Sequence, residues 1–342
     1  MKNIIAAVIA SMSLVSAVYA SDSKTIYGED DRLDYYQASG GQQRLADSVA
    51  SLWQSMYVVP VNDQYHLIGL SFGAAAELCP GEKFREQPVG AFCSGALVGD
   101  DLVLTAGHCV TDEKSCADTR LVFGYKVPSD GAEAVTVVPE SDVYSCSRIV
   151  KRALDKQHKG LLGLPLALIK ALLNKIGPDY AVIQLDRKVT GRKPLEINRS
   201  GGLKEGDGLF VIGYPVGLPV KVAANGKVRD ISPKNFYTTD LDTFGGNSGS
   251  PVFNSVTGKI EGVLVRGGTD FVKSASGCNV QNKLGQNEGK GEAVTKITGK
   301  ILKYIPATAA AESSASGESG GVVNMPAVKI TKPAGKVPEV RF

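Results

Sequence analysis

From Met56 onward the chain alternates short apolar runs with clusters of Gly, Pro, Asn and Asp: "MYVVPV", "YHLIGLSF", "AFCSGALV", "LVLTA", "RLVFGY", "AVTVVP", "YAVIQL", "LFVIGYP", "SPVF" and "EGVLVRG". Short runs rich in β-branched and aromatic side chains, punctuated this way, predict strands. So many at this spacing predict an all-β chain built as antiparallel barrels or a sandwich. Two stretches leave the pattern. In "LPLALIKALLNKIG" (164–177), Leu166, Ile169, Leu172, Leu173 and Ile176 share one helical face, which predicts a helical insertion packed onto the β structure. In "GEAVTKITGKILKYIP", Val294, Ile297, Ile301 and Ile305 line one side and predict a C-terminal docking helix weakened by Gly299.

The ends read differently. Lys2, the apolar stretch Ile4–Val18 and the small-residue site Val18-Tyr19-Ala20 predict a signal peptide over 1–20. The stretch is shorter than the roughly 20 apolar residues of a membrane span. A secreted or periplasmic protein without a stable membrane span is therefore expected. Residues 21–55 form an N-terminal segment with room for a short propeptide ending near Lys24 or Thr25. Within it, "TIYGEDDRLDYY" reads as a short strand with an acidic turn. Glu29, Asp30 and Asp31 lack the ligand spacing of a calcium loop and predict a solvated turn. The main domain is expected over 56–306. Beyond it, small, polar and Pro residues predict a disordered tail over 307–342.

Composition narrows the classes. With 38 basic and 35 acidic side chains the net charge is +3, too small a field to recruit nucleic acid. Export makes the six cysteines a disulfide framework, and without a C-x-x-C spacing no metal or other cofactor is expected. Folding "AFCSGALVGDDLVLTAGHC" about Gly99-Asp100-Asp101 brings Cys93 opposite Cys109. The other four cysteines allow three pairings. Cys116 and Cys146 flank two candidate hairpin strands, which points to their pairing and leaves Cys79 with Cys278.

The candidate chemistry centres on "DTFGGNSGSPVF", where Ser248 lies among glycines at the mouth of a strand. A serine attacks a carbonyl only with a base to take its proton and donors to hold the oxyanion. Of the three histidines, His66, His108 and His158, all precede Ser248. That order excludes an α/β-hydrolase, which runs Ser, acid, His, and the missing βαβ rhythm argues against a subtilisin-like chain. His108 stands where the strand "LVLTA" hands over to a loop, a setting the other two lack. Asp179, at the entrance to "YAVIQL", is the carboxylate suited to orient it.

Together "CSGALV", "LTAGHCV", "DYAVIQL" and "GGNSGSPVF" resemble the four motifs of the trypsin-like (chymotrypsin-fold) serine proteases, in the same order, over roughly Met56 to Ile305. "GNSGSP" and "IYGEDDR" are most similar to the bacterial branch that includes the glutamyl endopeptidases. The resemblance implies two antiparallel six-stranded β-barrels with the site between them. It implies a His108, Asp179, Ser248 triad and an oxyanion hole from the backbone N–H groups of Gly246 and Ser248. Substrates would be proteins or peptides.

The sequence also departs from the animal trypsins. Asn247 stands where they pair an aspartate with a newly cut N-terminus, and Phe244 stands where they carry a pocket cystine. By similarity Asp242 lies at the base of the pocket for P1, the residue before the scissile bond, with Thr243, Val265, Arg266, Gly267 and Gly268 around it. A carboxylate there favours Arg or Lys at P1. Val265 replaces the glutamyl endopeptidases' pocket histidine, whereas Thr243 matches their threonine, and Arg266 could serve either an acidic substrate or Asp242. An acidic-P1 enzyme, an esterase on the same fold and a catalytically silent binding module are the alternatives.

Overall fold

The computed structural model describes residues 25–154 and 177–307. The expected signal peptide, the helical insertion over 164–176 and the tail from 308 lie outside the described residues. Twelve strands form two barrels. The first contains β1 (Val49–Gln54), β2 (Cys93–Leu97), β3 (Leu102–Thr105), β4 (Thr119–Val122), β5 (Val143–Ala153) and β6 (Tyr180–Leu185). The second contains β7 (Gly208–Gly213), β8 (Lys221–Asp230), β9 (Phe236–Thr239), β10 (Pro251–Asn254), β11 (Ile260–Arg266) and β12 (Glu292–Lys296). Hydrogen bonding runs β1-β2-β3-β6-β5-β4 and back to β1, then β7-β8-β9-β12-β11-β10 and back to β7. The two barrels thus share one strand order, although the sequence shows no internal repeat.

Closure explains the burial. A strand in a closed barrel has no free edge, and its inward residues fill the interior. β6 buries Tyr180, Ala181, Val182, Ile183 and Leu185, and β11 is buried from Ile260 to Val265. Trp53 on β1 meets Tyr125 edge to face at 5.2 Å, and Tyr125 stacks on Tyr214 at 6.0 Å. This aromatic column runs from the first barrel to the turn that follows β7, and so joins the two cores.

Three readings change. The segment before Met56 is part of the barrels. β1 lies within it, Arg32–Asp34 adds to the edge of β8, and "MYVVPV" instead joins a three-stranded sheet outside the barrels. β1 hides in the sequence because both its faces are buried, which leaves no alternation to read. The expected C-terminal helix is mostly strand: Glu292–Lys296 is β12, and only the single turn Gly299–Leu302 is helical. Val294 belongs to a core inside the second barrel, whereas Ile301 and Ile305 belong to the larger core that draws on both barrels, so the residues that look like one helical stripe serve two cores. In the expected solvated turn Glu29 is exposed, whereas Asp30 and Asp31 are half-buried against the second barrel, as the site below shows.

All three disulfides are present: Cys93–Cys109, Cys116–Cys146 and Cys79–Cys278. They suit an oxidising compartment. Among the described residues no helix is long and apolar enough to cross a membrane. Cys116–Cys146 closes a loop of 30 residues between the short helix Glu113–Ala117 and β5. Replacing both cysteines with serine is expected to cost about 3 kcal/mol of stability, mainly through the freed unfolded chain. A urea melt checks it, and an unchanged midpoint would contradict it.

Candidate active site

The site forms where the loop after β3, the start of β6 and the loop before β10 converge. His108 sits three residues beyond β3, held by the Cys93–Cys109 bridge beside it. Its Nδ1 lies 2.8 Å from Asp179 Oδ2, and its backbone N–H donates to Asp179 Oδ1 at 3.2 Å. One carboxylate therefore fixes both the ring and the backbone of the histidine. Asp179 is itself locked across the barrels, because its N–H donates to Thr295 Oγ1 (3.2 Å) while the Thr295 hydroxyl donates to the Asp179 carbonyl (2.9 Å).

Ser248 lies in the turn before β10, on the second barrel, and is only 5% exposed. Its carbonyl oxygen accepts from the Ser94 N–H at 2.8 Å and lies 3.6 Å from Cys109 Sγ, next along the chain from His108. Ser94, on β2, also donates its hydroxyl to the Gly246 carbonyl (2.9 Å) and accepts from the Tyr214 N–H (3.0 Å). Each bond crosses from the first barrel to the second.

The glycines are dictated by close approach. Gly246 has φ +79°, and a Cβ there would come within 2.5 Å of the Tyr214 carbonyl oxygen. Gly249 has φ +88°, and a Cβ would overlap the Ser94 carbonyl and the Thr105 hydroxyl. The Gly245 carbonyl accepts from the Val216 N–H at 2.5 Å. In a planar trans peptide the next N–H points the opposite way, so this bond aims the Gly246 N–H away from Val216. Asn247 is buried and accepts from the Ser250 hydroxyl at 3.2 Å.

Arg266 is placed differently from expectation. Its Nη2 lies 3.7 Å from Asp179 Oδ2, so it faces the carboxylate beside His108 and not Asp242. Burial alone would raise the Asp179 carboxyl. The His108 hydrogen bond and the charges of His108 and Arg266 outweigh it and hold the group below its ordinary value.

Asp242 is likewise occupied. It is 3% exposed, and its two oxygens accept from the Tyr27 N–H (2.8 Å) and the Asp31 N–H (3.0 Å). Arg32, fully buried, makes a double contact with Asp30 (2.9 and 2.7 Å) and lies over the Phe244 ring at 4.4 Å. The segment "YGEDDR" is thus a clamp on the loop that carries Ser248. Val265 is buried in the core at 1% exposure. The acid that does stand beside Thr243 is one sequence reading missed: Glu292, at the start of β12. Thr243 Oγ1 donates to it at 2.6 Å and the Tyr27 hydroxyl at 3.3 Å, and a Cβ on Gly267 would overlap its carboxylate. A glutamate directly after Gly291 at a buried strand's mouth was the available signal.

A trypsin-like peptidase domain model matches residues 93–263, a span that holds His108, Asp179, Ser248 and the loops between them. The chain belongs to the trypsin-like peptidases. Among solved structures, one described as a Glu endopeptidase in complex with MPD matches at 16% identity and a TM-score of 0.44, covering 82% of this chain and 97% of its own. No curated protein matches. For this trypsin-like peptidase the family fixes a serine protease fold, two six-stranded barrels with the cleft between them.

The clamp has a pH signature. Burial, with the Asp242 charge adding to it, pushes the Asp31 carboxyl up to about 8; burial pushes Asp242 up to about 6 despite its two N–H donors. A folded state that holds protons more tightly than the unfolded chain loses stability as pH rises through this range, from about 4 to about 8. Asp31→Asn is expected to flatten that loss, checked by Tm measured across the range; a slope equal to that of the parent would contradict the assignment.

Proposed function

We propose that this trypsin-like peptidase is an exported serine endopeptidase in which Ser248 attacks the scissile carbonyl, His108 takes and returns the proton, and Asp179 holds the imidazole. The observation that carries the reading is the 2.8 Å contact between His108 Nδ1 and Asp179 Oδ2, with the same carboxylate receiving the His108 backbone N–H. Such a double hold supports the role of Nε2 as the nitrogen that takes the Ser248 proton. The N–H groups of Gly246 and Ser248 form the oxyanion hole, supported by the Val216 bond that orients the 245–246 peptide. The signal peptide expected from the sequence over 1–20 and the disulfide framework support export to the periplasm or the outside.

Basic P1 remains the favoured preference, with a change of residue. Asp242 has both oxygens held by backbone donors, and Glu292, next to Thr243 and Gly267, takes the place of the pocket acid; its carboxylate is buried and accepts from the Thr243 and Tyr27 hydroxyls, so a P1 cation would bind by displacing those hydroxyls. The acidic-P1 reading, which Thr243 also supports, loses Arg266 as a receiving cation, because that guanidinium faces Asp179. Cleavage-site profiling on a peptide library tests both parts. Cuts after Arg and Lys are expected, abolished in Ser248→Ala and reduced at least tenfold in Glu292→Gln, the size of losing a charge-assisted pair. Cuts after Glu would overturn the pocket assignment, and no cleavage would favour the binding-module alternative.

Arg266 also predicts a pH effect. Its charge helps hold the Asp179 carboxyl below its ordinary value. Removing it in Arg266→Gln is expected to raise that carboxyl, so that the acid-side loss of kcat/KM begins at a higher pH. A profile that does not move would assign Arg266 a packing role alone.

A further inference from the structure

The turn that leads into Ser248 can be typed from its backbone. The Asn247 N–H donates to the Phe244 carbonyl at 3.1 Å, which closes a four-residue turn with Gly245 and Gly246 at its centre. Gly246 has φ +79°, whereas φ at Gly245 is negative. That combination is a type II turn, which differs from type I by a half-rotation of its central peptide. The central peptide here is 245–246, the one whose N–H is proposed for the oxyanion hole. With glycine on both sides of it, no Cβ opposes the rotation. Two bonds hold it instead. The Val216 N–H grips the Gly245 carbonyl at 2.5 Å, from a β-branched residue at φ +49°, a conformation such residues avoid. On the other side, the Gly245 N–H donates to Asp270 Oδ2 at 3.0 Å. The peptides before and after Gly245 are thus both fastened, which fixes its φ and ψ together.

We infer that Asp270 is a positioning residue for the reaction: its carboxylate holds this turn in the orientation that presents the Gly246 N–H to the oxyanion. The inference rests on the peptidase reading above. Asp270 suits the task because its own backbone is well supported. Its carbonyl accepts from the Asn282 N–H at 2.8 Å, which places it at the base of the hairpin formed by Phe271–Lys273 and Asn279–Gln281. The N-terminal segment grips the partner strand there, since the Ile26 N–H (3.1 Å) and the Thr25 hydroxyl (2.8 Å) both donate to the Asn282 carbonyl. At the far end of the hairpin, the Cys79–Cys278 bridge ties it to the chain beyond the short helix Phe72–Ala75. A glycine turn with much freedom is therefore held from a support with little. An ionised acceptor makes the stronger bond to an N–H, and Asp270 is half-buried, so water competes less for it. Asp270 touches no reacting atom: the N–H it holds lies one peptide before the proposed donor. Its effect is on what the hole contains. A flipped central peptide would turn the Gly245 carbonyl toward the oxyanion and replace a donor with a repelling oxygen.

The test uses the full exported protein, a peptide that the parent cleaves, and a peptide aldehyde of the same sequence, whose adduct with Ser248 places an oxygen in the hole. Asp270→Ala is expected to lower kcat by about tenfold to hundredfold with KM unchanged, because the interaction it supports is made in the transition state. The aldehyde is expected to weaken by a similar factor, while the cleaved product peptide, which forms no oxyanion, inhibits as before. Asp270→Asn keeps an acceptor oxygen at the same reach and is expected to restore most of kcat. Asp270→Ser, too short to reach Gly245, gives the same reading as alanine should the alanine protein not fold. An alanine variant with the parent's kcat, a loss that falls in KM, an aldehyde that binds as tightly as to the parent, or an asparagine variant as slow as alanine would overturn the role of Asp270. A parent that cleaves no peptide would overturn the peptidase reading itself.

Discussion

The hydroxyl and amide of Ser94 hold the two halves of the cleft in one register. Ser94 is fully buried on β2, yet its N–H, its Oγ and its carbonyl reach the Ser248 carbonyl, the Gly246 carbonyl and the Thr105 hydroxyl in turn. A buried polar group without partners costs a few kcal/mol, so a loop that satisfies all of them at once is fixed in place. The glycines at 246 and 249 follow from this closeness, because a side chain at either would collide with the Ser94 carbonyl or the turn after β7. The Thr295 hydroxyl makes a second seam, tying Asp179 to β12. A cleft between two barrels keeps its geometry only if such bonds cross it, since each barrel is complete on its own.

Charge is arranged around the same seam. Arg266 and His108 meet at Asp179, while Arg32 and Asp30 brace Phe244 from below and Asp31 shares the neighbourhood of Asp242. Two carboxylates forced together out of water resist ionising, which is why the N-terminal clamp is the acid-favouring part of the molecule. This places the first described residues, from Thr25, against the loop that carries Ser248. The N-terminal segment from Thr25 and the centre of the proposed chemistry are therefore coupled through packing, with the Thr25 carbonyl accepting from the Thr243 N–H at 3.2 Å.

Much of the barrel pattern could be read in advance because half-buried strands must alternate and must end at turns. "LVLTAGHC" and "DYAVIQL" announce a base and a carboxylate at strand ends for that reason. β1 could not be read, because it is buried on both faces. The C-terminal stripe Val294, Ile297, Ile301 and Ile305 misled, because a spacing that fits a helix also fits a strand followed by a single turn once two cores compete for it. Of the three disulfide pairs, Cys93–Cys109 was accessible from hairpin geometry and Cys116–Cys146 from flanking strands, which left Cys79 with Cys278 as the remaining pair.

By itself the sequence determined the order of His108, Asp179 and Ser248, the glycines around the serine and the cysteine framework, since these depend on residue type and local chain direction. Which carboxylate faces which partner was decided only by tertiary structure. Asp242 carries the expected residue at the expected place, yet the returning N-terminal segment claims its oxygens; Glu292, fifty residues away, comes to stand beside Thr243; and Arg266 turns to Asp179. The reason is physical: a buried charge takes the nearest donors, and nearness across a closed barrel is set by strand order, which no local pattern records.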